Sequence, residues 1–330
     1  MEHRYLGRTG LAVSQLCLGT MPFGGDADEA TSAAIFARAR DAGINLFDCA
    51  DVYAKGASEQ ILGRLVADCR NEIVLVSKAY FPTGDGPNDR GTSRYHLTRA
   101  VEASLRRLGT DRIDIFYLHR MDDVTALDET LRELERLVSA GKILYPAVSN
   151  FSAWQTMKAL GIADTRGWAP VVAIQPMYNL AKRQAEVEIL PMCRSEQLGC
   201  IPYGPLGGGL LSGKYGRDRK PSAGRLVDNE MYGVRYGDPQ YYDLAERFTA
   251  LADAHGVAAP ALAIAWVAAT PGVTAPLIGA RSVEQLEGCL AATDVRMTDE
   301  LYAAVAALSP APPPATDRNE ETSAHNYGSR

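Results

Sequence analysis

The chain has 330 residues, 46% hydrophobic and 22% charged, with a formal net charge of -6. That is the balance of a soluble globular chain, long enough for one large α/β domain or two ordinary ones. It excludes a phosphate-backbone binder, which needs a segregated basic face. No run of about 18 apolar residues marks a membrane span, and the N-terminus lacks a signal-peptide core.

Short apolar runs alternate with amphipathic segments almost to the end. Leu16-Cys17-Leu18-Gly19 reads as a strand, followed by a helix from Asp28 to Ala42. Ile44-Asn45-Leu46-Phe47 leads into Asp48, and a helix spans Ser58 to Ala67. Ile73-Val74-Leu75-Val76-Ser77 leads into Lys78, then a polar loop precedes a helix from Arg94 to Leu108. Ile113 to Leu118 leads into His119, and Leu127, Leu131, Leu134 and Val138 keep a helical stripe within Val124 to Ala140.

A fifth strand covers Ile143 to Ser149, with Pro146 as an anomaly, since proline gives no ladder donor. Ser152 caps a helix reaching Leu160. Val171 to Gln175 and Cys200 to Tyr203 read as strands six and seven, separated by a helix near Glu186 to Gln197. A long loop reaches Gly237, then helices cover Pro239 to His255 and Pro260 to Ala269. Val273 to Ile278 is the eighth strand, and Val283 to Ala292 and Thr298 to Ala307 are the last helices.

Eight strands interleaved with helices predict an α/β fold, a (β/α)8 TIM barrel in one domain over residues 1–330, with 309–330 as an extended tail. A doubly wound sheet would carry G-x-G-x-x-G after its first strand, and Gly19-Thr20-Met21-Pro22-Phe23-Gly24-Gly25 does not match. Six cysteines without a C-x-x-C pair predict free thiols and a reducing, cytoplasmic setting. The five histidines are scattered, so no metal site is expected.

Several segments, in order, resemble the aldo-keto reductase superfamily. They are Leu6-Gly7-Arg8-Thr9-Gly10-Leu11, similar to the opening hairpin of its bacterial branches, and Asn45-x-Phe47-Asp48-x-Ala50-x-x-Tyr53. Ser149-Asn150-Phe151, Gln175-Pro176-Met177-Tyr178-Asn179, Tyr203-Gly204-Pro205-Leu206 and Gly279-Ala280-Arg281 with Glu284-Gln285-Leu286 follow. The resemblance covers nearly the whole chain and implies a barrel with an N-terminal β-hairpin and extra C-terminal helices. It also implies a catalytic tetrad of Asp48, Tyr53, Lys78 and His119.

The chemistry agrees with that set. Hydride reduction of a carbonyl leaves an alkoxide, which a nearby phenol protonates. An unperturbed tyrosine, with a pKa of about 10, is a weak acid at neutrality. A lysine ammonium beside it is expected to lower that value, a carboxylate keeps the lysine charged, and a neutral histidine polarises the carbonyl. Singly, Tyr53 reads as a half-buried aromatic, Asp48 as a cap, Lys78 as a solvated charge and His119 as a core histidine. The ordered segments make the joint reading the better one.

The resemblance implies NADP as cofactor, NADPH preferred and NADH possible. Ser149, Asn150 and Gln175 are then carboxamide contacts, Tyr203 the stacking aromatic, and Gly19 a further cofactor contact. Gly204, Pro205, Leu206 and Gly208 lie along the pyrophosphate, where glycines let backbone amides approach. Gly279, Arg281 and Gln285 face the 2′-phosphate. The chain departs from the family at Gly288-Cys289, where a polar pair often contacts adenine, and at Gly204, where serine is common. Phe23, Tyr80 and Arg120 are pocket candidates.

The expected activity is NADPH-dependent reduction of an aldehyde or ketone, with a small-molecule carbonyl substrate and neither nucleic acid nor membrane as partner. The alternatives are a sugar, polyol or ketodeoxysugar oxidoreductase and a non-catalytic NADPH-binding regulatory subunit. Oligomeric state is not legible.

Overall fold

The computed structural model describes residues 1–326. Its eight-stranded sheet is built from apolar runs buried on both faces, as parallel strands between helices must be. The N-terminal hairpin pairs β1 (His3–Tyr5) with β2 (Ala12–Ser14) antiparallel. The sheet then takes β3 (Cys17–Gly19), β4 (Leu46–Asp48), β5 (Val74–Ala79), β6 (Ile113–Leu118), β7 (Ile143–Ser149), β8 (Ala173–Gln175), β9 (Gly199–Cys200) and β10 (Leu277–Ile278). All neighbours are parallel, and β10 pairs back to β3. A parallel bridge between Tyr203 and Leu277, with Leu277 N donating to Pro202 O at 2.8 Å, closes the circle. The architecture is the expected (β/α)8 barrel.

Helices α1 (Glu29–Asp41), α2 (Ala57–Val66), α3 (Arg94–Leu108), α4 (Leu127–Ser139), α5 (Ala153–Arg166) and α6 (Ile189–Ser195) occupy the crossovers. Ser152 caps α5 in a reciprocal capping box with Gln155. The long loop before Gly237 is not uniformly irregular. It holds two short helices, α7 (Arg225–Asp228) and α8 (Glu230–Tyr236), which lack the long apolar period by which helices are read from sequence. Then come α9 (Pro239–Ala254), α10 (Ala259–Ala269), α11 (Val283–Leu290) and α12 (Asp299–Ala306).

Strands six to eight are shorter than their apolar runs. Val171 and Val273–Ala275 are buried and Val172 half-buried, all outside the named strands, although Val172 N, Thr274 N and Ala275 N still donate to the neighbouring strands. Pro146 is also explained. It lies opposite Phe116 in register, and its carbonyl accepts from Val172 N at 2.9 Å on the side where β8 starts only at Ala173. Its missing donor therefore falls beside the entry to β8.

Strand alternation divides the core in two. Leu46, Val74, Val76, Ile115, Tyr117, Ala147 and Ala173 point into the barrel and pack with Leu6 and Val13 of the hairpin, which plugs its floor. Leu18, Phe47, Leu75, Phe116, Leu118, Val148 and Ile174 point outward against the helices. The plug fits because position 199 is glycine: a Cβ there would lie 2.2 Å from Leu6 Cδ1. Among the described residues no single helix is long and apolar enough to cross a membrane.

Candidate active site

The parity that sends Leu46, Val76, Tyr117, Ala147 and Ala173 inward also sends Asp48, Lys78, His119, Ser149 and Gln175 inward, two residues further along. These positions are the carboxyl ends of the strands, where barrels build sites. Tyr53 is not at a strand end. It opens a 3-10 turn, Tyr53–Gly56, whose Ala54 and Lys55 take φ of 47° and 55°, and this turn folds the phenol back toward Lys78.

Lys78 is fully buried. Its ammonium donates to Asp48 Oδ1, to the Cys49 carbonyl at 2.8 Å and to the Tyr53 phenol oxygen at 3.3 Å. Three donors thus find three acceptors, which is what a buried ammonium requires. The second Asp48 oxygen accepts from Gln175 Nε2 at 2.8 Å. Burial works against the Lys78 charge, but Asp48 and Tyr53 outweigh it and hold its pKa above the ordinary lysine value.

His119 lies edge-on to Tyr53, ring centroids 6.0 Å apart. Burial and then Lys78 push its pKa well below the usual histidine value, so the ring is neutral. Its Nδ1 is buried without a partner. A buried bare acceptor is tolerated better than a buried bare N–H, which favours the tautomer carrying the proton on Nε2. One expectation is corrected. Burial pushes the Tyr53 phenol up to about 12, and the opposing pull of Lys78 does not overcome it.

Ser149, Asn150, Gln175 and Tyr203 form one network. Ser149 Oγ donates to Gln175 O at 3.0 Å, Asn150 Nδ2 to His119 O at 2.9 Å and to Ser149 Oγ at 3.1 Å, and Tyr203 OH to Asn150 Oδ1 at 2.8 Å. Asn150 adopts φ 56°, a left-handed conformation that asparagine tolerates. Gly204, Gly207, Gly208 and Gly209 all have positive φ, and a Cβ on Gly204 would meet nothing within 4 Å. Within the turn Gly207 N returns to Gly204 O at 2.8 Å and Gly209 N to Leu206 O at 3.0 Å, so the open face lies at Gly204.

Pro205 is buried and Leu206 half-buried on the same turn, while Gly279 is exposed at the barrel rim. Arg281 is 44% exposed in its side chain and pairs loosely with Asp26, Nη1 lying 3.9 Å from Oδ2. Gln285 Oε1 accepts from the Arg281 backbone N at 3.0 Å, so its amide braces the start of α11. Gly19 is accounted for by packing, because a Cβ there would lie 2.6 Å from Leu277 Cδ2. Gly288 is bare and Cys289 is turned into the core.

The pocket candidates divide. Tyr80, Phe81 and His119 stand edge to face at 5.3 and 4.9 Å, and Arg120 is exposed. Phe23 has no exposed surface: its N–H returns to Thr20 O, and the ring enters the outer core instead of the mouth.

Three features escaped the sequence reading. Gln175 holds Asp48 as well as belonging to the amide network. Asn179 is buried and ties Gly204 O at 2.9 Å to Tyr236 OH at 3.0 Å. Tyr232 packs on Gly208, whose Cβ would lie 2.7 Å away, with Arg225 and Arg235 flanking its ring at 5.3 and 5.0 Å. Contacts between residues so far apart in sequence leave no local signal.

Comparison with known proteins agrees with this geometry. Residues 15–310 match the model of the Aldo/keto reductase family. The uncharacterized oxidoreductase YrpG of Bacillus subtilis is 40% identical over 94% of this chain and 97% of its own length. A probable voltage-gated potassium channel subunit beta of Arabidopsis thaliana is 35% identical, covering 89% and 92%. Norsolorinic acid reductase of Emericella nidulans is 36% identical, covering 90% and 79%. With its barrel, its strand-end polar set and these relatives, the chain belongs to the aldo/keto reductase family.

Proposed function

We propose that this chain is an NADPH-dependent oxidoreductase that reduces aldehydes or ketones to alcohols, with Tyr53 as general acid. The observation that carries the reading is the fully buried Lys78 ammonium bonded to both Asp48 and the Tyr53 phenol. Ser149, Asn150, Gln175, Tyr203, the Gly204–Gly209 turn and Arg281 would hold the cofactor. When bound, the nicotinamide supplies a hydride to the carbonyl carbon.

The remaining chemistry belongs to the chain. His119, neutral with Nε2–H, donates a hydrogen bond to the carbonyl oxygen and favours charge developing there. Tyr53, its phenol held protonated by burial, delivers the proton to that oxygen. Lys78 steadies the phenolate as it forms, Asp48 holds Lys78, and Gln175 holds Asp48. A high phenol pKa in the resting site suits this order. The Lys78 charge contributes most when the proton leaves, so it stabilises the transition state more than the ground state.

The edge-to-face wall of Tyr80, Phe81 and His119 favours planar aromatic carbonyls, consistent with a relative named for norsolorinic acid. We place the activity in one barrel domain with a C-terminal tail, in the cytoplasm, where its six free thiols stay reduced. The test is NADPH oxidation against a panel of aryl aldehydes, aryl ketones, aliphatic carbonyls and keto-sugars. Turnover is expected, fastest on the aryl members. Preference for keto-sugars would move the substrate class to carbohydrates. Tight NADPH binding without turnover on any of them would favour a regulatory subunit.

A further inference from the structure

One buried acid near the site has no role in that chemistry. Asp51 is 2% exposed, and no side chain hydrogen-bonds either of its carboxyl oxygens. The chain leaving β4 still runs beside β5: Cys49 N donates to Val76 O at 3.0 Å and Asp51 N to Lys78 O at 3.1 Å. The alternation that puts Asp48 inside the barrel puts Cys49 in the outer core and Asp51 behind the wall, back to back with Lys78.

The groups facing Asp51 there are Glu59 from α2, Arg107 from α3 and, through the wall, Lys78 from β5. The guanidinium is committed to Glu59. Arg107 Nε donates to Glu59 Oε2 at 2.6 Å, and Ser77 Oγ donates to Glu59 Oε1 at 2.6 Å. Glu59 has no exposed surface. Two buried carboxyls therefore share one guanidinium, and only one of them is paired with it.

We propose that Asp51 is a positioning residue for the reduction, kept as a neutral carboxyl behind Lys78, and that its ionisation draws the Lys78 field away from Tyr53. Burial, and then the charge of Glu59, push the Asp51 carboxyl up to about 8, against the smaller pulls of Arg107, the Val52 backbone amide and Lys78. Below that pH, Asp51 is neutral and the ammonium acts on the phenol undiminished. Above it, a negative charge behind Lys78 weakens the stabilisation of the Tyr53 phenolate, and reduction slows. Nothing in the carbonyl chemistry itself requires this step.

The inference rests on Tyr53 being the acid, and its test reads Asp51 separately. The pH profile of reductive kcat/KM, each protein normalised to its own plateau, is compared for wild type, Asp51→Asn and Glu59→Gln. Wild type is expected to fall about fivefold through a step near pH 8, the size of a partly screened charge effect. Asp51→Asn, neutral at every pH, loses that step. Glu59→Gln removes the repelling charge and frees Arg107, so the step moves to lower pH. With a merely structural role for Asp51, neither variant would change the profile.

Infrared difference spectra follow the proton directly and need no turnover. A neutral-carboxyl band present in wild type at pH 7 is expected to fade by pH 9 and to be missing in Asp51→Asn. If the Asn variant does not fold, the Glu59→Gln profile and the wild-type infrared titration decide. Superimposable profiles in all folded variants, or no neutral-carboxyl band at pH 7, would overturn the proposal. An absent activity with the band intact would count against the Tyr53 reading instead.

Discussion

Lys78 shows how far a single residue's setting governs this site. A lone ammonium inside a barrel would shed its proton, but here Asp48, the Cys49 carbonyl and Tyr53 satisfy every donor. Removing one partner from such a pair leaves a buried uncompensated charge, at a cost of about 3–5 kcal/mol. Tyr53→Phe removes only the hydroxyl, so the fold should persist. Reduction is expected to fall by about a hundredfold or more, with the Kd for NADPH within a few-fold of wild type. Retained turnover, read by NADPH oxidation, would show that another group supplies the proton. Arg281→Ala, at the exposed rim, should raise the KM for NADPH about tenfold or more while changing that for NADH little. Equal changes for both cofactors would remove the phosphate role.

At the scale of elements, strand parity and loop closure do the positioning. β4, β5, β6, β7 and β8 each end on or beside an inward polar residue, and the backbone ladder fixes their spacing. The segment carrying α7 and α8 is set differently, by Tyr232 lying on Gly208 and by Asn179 joining Gly204 to Tyr236. Gly208 has φ +69°, so Gly208→Ala adds both backbone strain, about 1–2 kcal/mol, and a clash with Tyr232. We expect limited proteolysis between residues 213 and 237 to quicken several-fold, with the barrel's Tm lowered by only a few degrees. An unchanged cleavage rate would show that the ring moves aside freely. This anchoring was not legible beforehand. The glycine run showed where the backbone is permissive, and only the fold brings Tyr232 to it.

For the whole molecule, the hairpin plug, the strand circle and the helical ring form one continuous set of packed layers. Arg183 Nη1 reaches Ala306 O at 2.9 Å and Ser309 O at 2.8 Å, and Arg247 Nη2 reaches Leu308 O at 2.9 Å, while residues 310–320 are mostly exposed. Deleting the chain after Pro310 should therefore leave Tm within a few degrees. A large drop in calorimetry would mean that the tail stabilises the barrel.

The sequence by itself determined the barrel, because its strand and helix periods are written in local patterns, and it marked Asp48, Lys78 and His119 as strand-end polar residues. Short, mostly apolar runs alternating with helical periods read as buried parallel strands, and Asp48, Lys78 and His119 inherit their places from the strands they close, whereas Tyr53 depends on the turn after β4. Tertiary structure alone decided the electrostatics. The same Lys78 expected to lower the Tyr53 pKa is outweighed by desolvation, which depends on everything packed around the phenol. It also withdrew Phe23 from the mouth and set Gln175 on Asp48. Asp51, a plain acid in sequence, became a buried carboxyl with no side-chain partner behind Lys78, since burial and partners are properties of chains folded together, not of residues in a row.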